Sequence, residues 1–326
     1  MESTRLDRRR LSTAALVFII IAASAPFTVL AGGIPTNYAV AGLLGVPQTY
    51  IVLGAILVLF AVGYTAMSRE IQNAGAFYAY VTEGLGNRQG IAAAILALVS
   101  YNMMQIGLYG LFGFAASNLI ATFTGLALPW WLTALAAWLI VALLGVRSIE
   151  VSAKVLGVVV MLEFVVVVIV DIMAIWVAPE GVSAAAFATD EFFVPGIGVL
   201  LAFGVAASMG FESGAIYSEE VVDPRRTVAR ATYIALIVIA LFYAFSAWAV
   251  GVGVGPSSVV EESQTFGPDL IFNWLGQHSP MLANFANLLF VTSLLAVLLA
   301  FHNAVARYFF ALGRSTVLPK ALGTTA

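Results

Sequence analysis

The chain has 326 residues, of which 62% are hydrophobic and 10% are charged, and its formal net charge is −3. A typical soluble domain is about 45–50% apolar and about 25% charged, so this composition predicts an all-α, polytopic membrane protein. The lack of cysteine excludes disulfides and thiolate chemistry, and no phosphate-binding loop or catalytic constellation is present. We therefore expect no enzyme activity, no organic cofactor, no metal site and no nucleic-acid partner.

Eight stretches are long and apolar enough to cross a bilayer, for which a helix needs roughly 20 residues. In chain order, predicted spans 1 to 8 cover residues 12–44, 47–67, 90–117, 129–146, 155–178, 196–217, 229–252 and 281–310. Spans 1 and 3 exceed one bilayer thickness, so each must tilt, extend beyond the bilayer or break.

All 14 lysines and arginines fall on one side of the membrane when these eight spans are threaded through it. The loops on the opposite side carry acidic residues and no basic ones. Because cytoplasmic loops are enriched in Lys and Arg, the sequence predicts a multi-pass protein of the plasma membrane with a cytoplasmic N-terminus.

Span 1 contains the stretch AASAPFTVLAGGIP at residues 22–35, with two prolines and two glycines in an apolar run. Its start resembles a signal-peptidase site, and a kinked helix or a broken helix are the other interpretations. A proline directly after the cut disfavours cleavage, and apolar sequence continues to Leu44. We therefore expect an uncleaved span that breaks at residues 24–28, with the glycine pair at 32–33 marking where its second half resumes.

Span 6 is interrupted in the same way, by Gly204 and by the stretch SMGFESG at residues 208–214. The two interrupted spans are five spans apart, so a second five-span unit would enter the membrane inverted. Paired broken helices in two inverted halves indicate the binding site of a secondary transporter, because unpaired backbone groups are tolerated in a membrane only where they line a cavity. The alternative is that small residues only allow close helix packing.

This interpretation divides the chain into five segments. They are a cytoplasmic N-terminal tail at 1–11, a first five-helix repeat at 12–178, an external loop at 179–195, an incomplete second repeat (spans 6–8) at 196–312 and a cytoplasmic C-terminal segment at 313–326. Counterparts of spans 4 and 5 are missing from the second repeat, so we expect a fragment or a truncated product of a longer protein.

Three motifs resemble the amino acid–polyamine–organocation (APC) superfamily of permeases. They are QNAGAFYAY at 72–80 with GLG at 84–86, GFE at 210–212 with EEVVDPRRT at 219–227, and the end of span 8 from Arg307 to Lys320. Asn73, Ala76 and Ala229 depart from the family's pattern. The resemblance implies a leucine-transporter-like 5+5 inverted-repeat fold with broken helices 1 and 6, and a permease for amino acids or related amines.

The resemblance also implies a substrate site between the broken spans. The substrate carboxylate is expected at the backbone of span 1, since a half-helix N-terminus favours anions, and the amine at carbonyls of span 6. The candidate substrate-binding residues are Ser24, Ala25, Pro26, Phe27, Thr28, Gln105, Tyr109, Phe203, Ser208, Gly210, Phe211 and Glu212. Gln105 and Tyr109 share one face of span 3 with Tyr101, which lines the pathway or, as the favoured alternative, packs against neighbouring helices. Ala206 replaces the gating tryptophan of the family's arginine/agmatine antiporter, so that specificity is not carried over.

Acidic residues inside spans are functional candidates because a charge near a helix centre costs at least ~2.5–3.5 kcal/mol. Glu163 and Glu212 are the candidate coupling residues, whereas Asp171 is expected at the interface. By resemblance, Glu163 stands where related permeases carry a lysine that replaces a sodium ion, and Glu212 has a proton-sensitive or amine-contacting role. For each the alternative is structural, as a hydrogen-bonded brace. Thr292 and Ser293 are candidates for a Na⁺ site.

The sequence therefore predicts a secondary active transporter that works by alternating access and is coupled to H⁺, with Na⁺ as the alternative ion. Its partners would be a small-molecule substrate and the lipid bilayer, and its oligomeric state is left open. The alternative function is that of a transport-inactive fragment or a regulatory membrane protein derived from such a permease.

Overall fold

A computed structural model describes residues 11–71, 77–146, 153–218 and 220–323 of the chain. Within these ranges the regular elements are helices, with one isolated bridge between Leu11 and Val221, which confirms the all-α prediction. Several predicted features lie outside the described residues, namely the tail up to residue 10, motif residues 72–76, Arg147, Glu219 and the last three residues.

Seven of the described helices are long and apolar enough to cross a membrane, which confirms a polytopic membrane protein. They are Thr13–Ala41 (span 1), Val46–Glu70 (span 2), Asn87–Thr124 (span 3), Ala153–Trp176 (span 5), Ile197–Ala215 (span 6), Pro224–Val254 (span 7) and Pro280–Arg314 (span 8). Predicted span 4 is the apolar helix Trp130–Val146, which has 17 residues and adjoins the undescribed residues 147–152.

Helix ends follow local sequence. Ser12 begins span 1, and its hydroxyl accepts the N–H of Ala15 at 3.2 Å. Gly42 and Gly125 end spans 1 and 3 with φ values of 66° and 74°, a conformation that costs glycine little. Pro280 begins span 8 at the position where its missing N–H needs no partner.

Span 1 is the central helix of the bundle. It packs against spans 5, 6, 7 and 8, while span 7 also covers span 2 and span 3 lies between spans 4 and 8. Three shorter helices, Phe77–Leu85, Val259–Phe266 and Leu270–His278, join the spans. Of these, the latter two pack over the second half of span 1.

The outer faces of the bundle are apolar. Leu59 of span 2, Leu96 of span 3 and Ile172 of span 5 are 73%, 68% and 59% exposed. Such faces are stable in contact with lipid rather than water, in agreement with the apolar composition. Polar groups within the membrane must then lie inside the bundle, where they can find partners.

The start of span 1 is tied to the segment that follows span 6. Leu11 donates its N–H to the carbonyl of Glu220 at 3.2 Å and accepts the N–H of Val222 at 3.2 Å. Arg307 of span 8 pairs with the Glu220 carboxylate and lies over the ring of Tyr217 at 4.5 Å. Spans 1, 6 and 8 are therefore held together at this end of the bundle.

Candidate functional site

Span 1 breaks at Ala25. The helix Thr13–Ser24 ends there, and Ala25 has φ 43° and ψ 80°, a left-handed conformation that is uncommon for a residue with a Cβ atom. Pro26 explains the break, because proline disfavours the α conformation in the preceding residue and suits the first position of a new helix. The break lies inside the range that the sequence predicts.

The second half of span 1 begins irregularly. The turn Pro26–Thr28 leads into a π-helical turn, Val29–Gly33, before the α-helix Ile34–Ala41. The predicted glycine pair at 32–33 lies in this π-helical turn. Such turns are rare and are frequently found at functional sites. Together, the two segments make the backbone of span 1 irregular from Pro26 to Gly33.

Side chains from two other helices satisfy backbone groups at this break. The Tyr243 hydroxyl of span 7 donates to the carbonyl of Ser24 at 2.9 Å. The carboxylate of Glu163 on span 5 accepts the N–H of Phe27 at 3.3 Å. Without these partners the two backbone groups would be unpaired in an apolar interior, which costs several kcal/mol each.

An oxygen cluster lies beside the same break. The hydroxyls of Thr28 and Ser293 share a hydrogen bond of 3.1 Å, and Ser293 also interacts with the carboxyl group of Glu163. These three residues are 9%, 0% and 1% exposed, respectively. Carboxylate and hydroxyl oxygens are the ligands that small hard cations prefer, so this cluster can hold either a proton on Glu163 or a cation. Thr292 instead donates to the carbonyl of Leu289 on its own helix at 2.9 Å.

Span 6 breaks at Met209 and Gly210. The helix Ile197–Ser208 ends there, Met209 is extended with ψ 141°, and Gly210 has φ 107°. A short helix, Ser213–Ile216, follows. This break confirms the second interruption expected from the sequence, whereas the inverted-repeat relation between the two halves stays a prediction.

Glu212 braces the break of span 6. Its carboxylate accepts the N–H of Gly210 at 3.0 Å and the hydroxyl of Tyr101 from span 3 at 2.5 Å. Its own carbonyl accepts the hydroxyl of Tyr64 from span 2 at 2.7 Å. Three helices therefore meet at one buried glutamate, which is 5% exposed.

The two breaks touch each other. A Cβ atom built at Gly210 would lie 2.8 Å from the Cβ of Ala23 and 3.3 Å from its carbonyl oxygen, so the two backbones approach more closely than any larger residue permits. A cavity of about 180 Å³ lies beside this contact.

The cavity is bounded by residues of four spans. Its walls include Ser24, Ala25, Thr28, Phe203, Ala206, Met209, Met104, Leu108, Leu111, Val297 and Phe301. Of the residues predicted to bind substrate, Ser24, Ala25, Thr28 and Phe203 line it. Most of the wall is apolar, and its polar groups are side-chain hydroxyls and the backbone groups at the two breaks.

The other predicted residues lie around the cavity rather than on its wall. Phe27 packs with Phe272 and Phe290 at ring distances of 6.5 and 6.2 Å, and Phe211 packs against Tyr64 at 6.4 Å. The Ser208 hydroxyl donates to the carbonyl of Gly204 at 2.9 Å. Pro26 and Gly210 shape the two breaks, and Glu212 binds Gly210 and Tyr101.

Span 3 presents a different face to the cavity from the one expected. Met104, Leu108 and Leu111 line it, whereas Gln105 is buried beside them and Tyr109 is half-buried. The amide nitrogen of Gln105 makes no hydrogen bond within the described part of the chain. Sequence reasoning missed these apolar residues, and it also missed Tyr243, whose role depends on contact between distant segments.

A second buried acid, Asp171, lies two turns beyond Glu163 on span 5. It is 0% exposed, and its carboxylate accepts the hydroxyl of Ser246 at 2.8 Å. The sequence predicts an interfacial position for Asp171, near the end of span 5; the side chain is buried against span 7, and its depth in the bilayer stays a prediction. A polar partner on the neighbouring helix makes the buried position tolerable.

Outside the spans, Asp269 lies between the loop helices over the second half of span 1. Asn118, near the end of span 3, donates to its carboxylate at 3.0 and 3.4 Å. Burial raises the pKa of the Asp269 carboxyl, and the hydrogen bond from Asn118 opposes this shift in part. This contact joins span 3 to the loop before span 8.

Comparison with known proteins agrees with this architecture. The pattern of the family described as "Amino acid permease" matches residues 15–325. The low-affinity putrescine importer PlaP of Escherichia coli, from strain K12 and from O157:H7, is 24% identical over 302 residues. The aligned region covers 89% of this chain and 61% of the importer, so the chain spans less than two thirds of that relative.

Proposed function

The chain belongs to the amino acid permease family, and from that premise we propose that it is a secondary active transporter for amino acids or related amines. Membership makes it a membrane transporter rather than an enzyme, with a small molecule as substrate. The observation that carries the finer proposal is that the broken ends of spans 1 and 6 meet beside one cavity. Alternating access works around such a site.

The proposed orientation has the N-terminus in the cytoplasm of a cell whose plasma membrane holds the protein. Support comes from the placement of all 14 lysines and arginines on one side of eight spans. The contact of Leu11 with the segment after span 6 would then close the cytoplasmic end.

The proposed binding mode uses backbone at both breaks. The substrate carboxylate faces the start of the second half of span 1, where the N-terminus of a half-helix carries partial positive charge. The ammonium group faces carbonyl groups near Met209 and the hydroxyls of Ser24 and Thr28 on the cavity wall. The similarity to a putrescine importer supports an amine as part of the substrate.

Proton coupling is proposed to act through Glu163. Its carboxylate accepts the N–H of Phe27 and lies against the hydroxyl pair of Thr28 and Ser293. A proton on Glu163 weakens its hold on the backbone N–H, because charge-assisted hydrogen bonds are roughly twice as strong as neutral ones. Protonation would therefore loosen the break of span 1 from span 5.

Sodium coupling is the alternative for the same oxygen cluster. It would use the oxygens of Thr28, Ser293 and Glu163, while Thr292 is turned toward its own helix. We favour the proton because a carboxyl group already occupies the cluster and can load and release a proton without further ligands.

Uptake into proteoliposomes tests both parts of the proposal. The probes are a panel of labelled amino acids and putrescine, with an imposed pH gradient or Na⁺ gradient. We expect a pH gradient to drive uptake, Glu163→Gln to remove that response, and Asp171→Asn, a matched buried acid on the same helix, to keep it. A response of Glu163→Gln equal to that of the wild type would exclude the proton pathway. Uptake driven by Na⁺ alone would favour the alternative ion.

A further inference from the structure

We propose that the transported substrate is a small amino acid with an uncharged, aliphatic side chain. The inference rests on the proposed transport function and adds the class of side chain. It comes from what lines the cavity beyond the two backbone breaks.

The wall beyond the breaks is apolar. Three spans contribute six of its side chains, namely Met104, Leu108, Leu111, Phe203, Val297 and Phe301, and the hydroxyl of Thr36 on span 1, which also lines it, is bound to the carbonyl of Gly32 at 2.6 Å. Apolar walls favour apolar ligand groups roughly in proportion to the area removed from water. A substrate whose α-carboxylate and α-ammonium groups bind at the breaks would place its side chain against this surface.

The two nearest acids do not offer a charge to the substrate. Glu163 is bound to the N–H of Phe27, and Glu212 is bound to the N–H of Gly210 and the hydroxyl of Tyr101. Neither acid lines the cavity, and no lysine or arginine lines it in the part of the chain that the structure describes. A second charge on the substrate would therefore lie unpaired against apolar side chains, which is strongly unfavourable.

The size of the cavity limits the side chain. Its volume of about 180 Å³ is below the range of about 300–1,000 Å³ typical of drug-sized ligands. Ala206 and Ala207 keep this space open next to the break of span 6, and a small amino acid with a few side-chain carbons fits it.

Competition for uptake in proteoliposomes tests the inference. The probe is labelled L-leucine, and the unlabelled competitors are L-alanine, L-valine, L-lysine, L-glutamate and putrescine, each also supplied in labelled form. We expect the aliphatic amino acids to compete at least 100-fold better than the three charged compounds. Uptake of lysine, glutamate or putrescine in preference to leucine would overturn the inference and leave the transport function standing. Uptake of none of these compounds would overturn the transport function itself.

A pair of leucine substitutions tests whether this cavity is where the side chain binds. Ala206→Leu fills the wall of the cavity, and the matched control is Val205→Leu, at a neighbouring residue that is 46% exposed and does not line it. We expect Ala206→Leu to lower affinity for leucine at least tenfold more than affinity for alanine, and Val205→Leu to leave the ratio of the two unchanged. Retained alanine uptake shows that the variant is folded. An equal effect of Ala206→Leu on both substrates would contradict the assignment.

Discussion

Removal of one hydroxyl, by Tyr101→Phe, measures how strongly span 3 is tied to the break of span 6. Tyr101 is 4% exposed, and its hydroxyl donates to the Glu212 carboxylate at 2.5 Å. Hydrogen bonds to charged groups contribute about 1.5–3 kcal/mol in soluble proteins, whereas bonds between membrane helices average about 0.6 kcal/mol with a maximum of about 1.7.

The short distance and the carboxyl acceptor place this bond near the upper membrane value. After the substitution, the N–H of Gly210 still donates to the Glu212 carboxylate at 3.0 Å, and the oxygen that accepted the Tyr101 hydroxyl loses this donor. We therefore expect Tyr101→Phe to lower the free energy of unfolding by about 1.5 kcal/mol, which is about a tenfold change in the equilibrium constant.

The assay is reversible unfolding of the purified protein in mixed detergent–lipid micelles, followed by circular dichroism. A double-mutant cycle with Glu212→Met, which keeps the length of the side chain and removes both oxygens, isolates the pair. Tyr109→Phe is the matched control, since this half-buried tyrosine lies two turns further along the same helix, and we expect it to change stability by less than about 0.5 kcal/mol. A coupling energy below about 0.5 kcal/mol would refute the strength assigned to this bond.

Three further predictions concern the breaks and the loop before span 8. Ala25→Gly should stabilise the protein by up to about 1 kcal/mol, because it relieves about 1–2 kcal/mol of strain in the left-handed conformation and adds about 0.5–1 kcal/mol of chain entropy to the unfolded state. The control Ala22→Gly, in the regular helix, should destabilise the protein by about 1 kcal/mol. Unfolding titrations should therefore give changes of opposite sign for the two variants. Gly210→Ala should lower the free energy of unfolding by more than about 2 kcal/mol, because residue 210 has a φ of 107° and the new Cβ would lie 2.8 Å from the Cβ of Ala23 in span 1. The control Gly198→Ala, at a position with open space around it, should be neutral or stabilising. Asp269→Asn should remove a pH-dependent component of stability. Because the pKa of Asp269 is raised in the folded state, its contribution to stability is complete below the usual Asp pKa of about 3.9 and is lost as pH rises through the folded-state pKa. Equal decreases in melting temperature above pH 4 for the wild type and Asp269→Asn would count against this.

The positions of the breaks follow from local sequence. Pro26 restricts the residue before it, so the break of span 1 needs no tertiary information. The glycine-containing stretch at 208–214 specifies the break of span 6 in the same way, because Gly210 adopts a positive φ that residues with a Cβ atom avoid. Where one residue fixes its own backbone, the sequence is sufficient.

The rotation of span 3 does not follow from local sequence. Tyr101, Gln105 and Tyr109 form a polar face that suggests a substrate pathway, yet Met104, Leu108 and Leu111 line the cavity. In a membrane an apolar stripe can face lipid, another helix or a cavity, so hydropathy does not distinguish these surroundings. The face is set by contacts with spans 4 and 8, among them the rings of Tyr101 and Phe301 at 5.9 Å, and such contacts have no local signal.

Tyr243 illustrates the same limit for hydrogen bonding. Its hydroxyl satisfies the carbonyl of Ser24 from a position 219 residues away in the chain. A broken helix predicts that some donor must reach this carbonyl, but it does not identify which helix supplies the donor. The need for a partner is predictable, and its identity depends on how spans 1 and 7 pack.

The two glutamates at the breaks hold their backbones in different ways, and the difference separates their roles. Glu212 accepts the N–H of Gly210 two residues earlier and the hydroxyl of Tyr101 on span 3, so a change in its charge acts on the turn of span 6 and on the attachment of that turn to span 3. Glu163 accepts the N–H of Phe27 across two helices, so a change in its charge alters how firmly span 1 is attached to span 5. Alternating access requires helices to move against one another, and a titrating group drives such movement only where it bridges the moving parts. Glu163 thus holds the backbone of another span, which supports its proposed role in coupling, whereas Glu212 holds the break of its own span and joins that break to span 3.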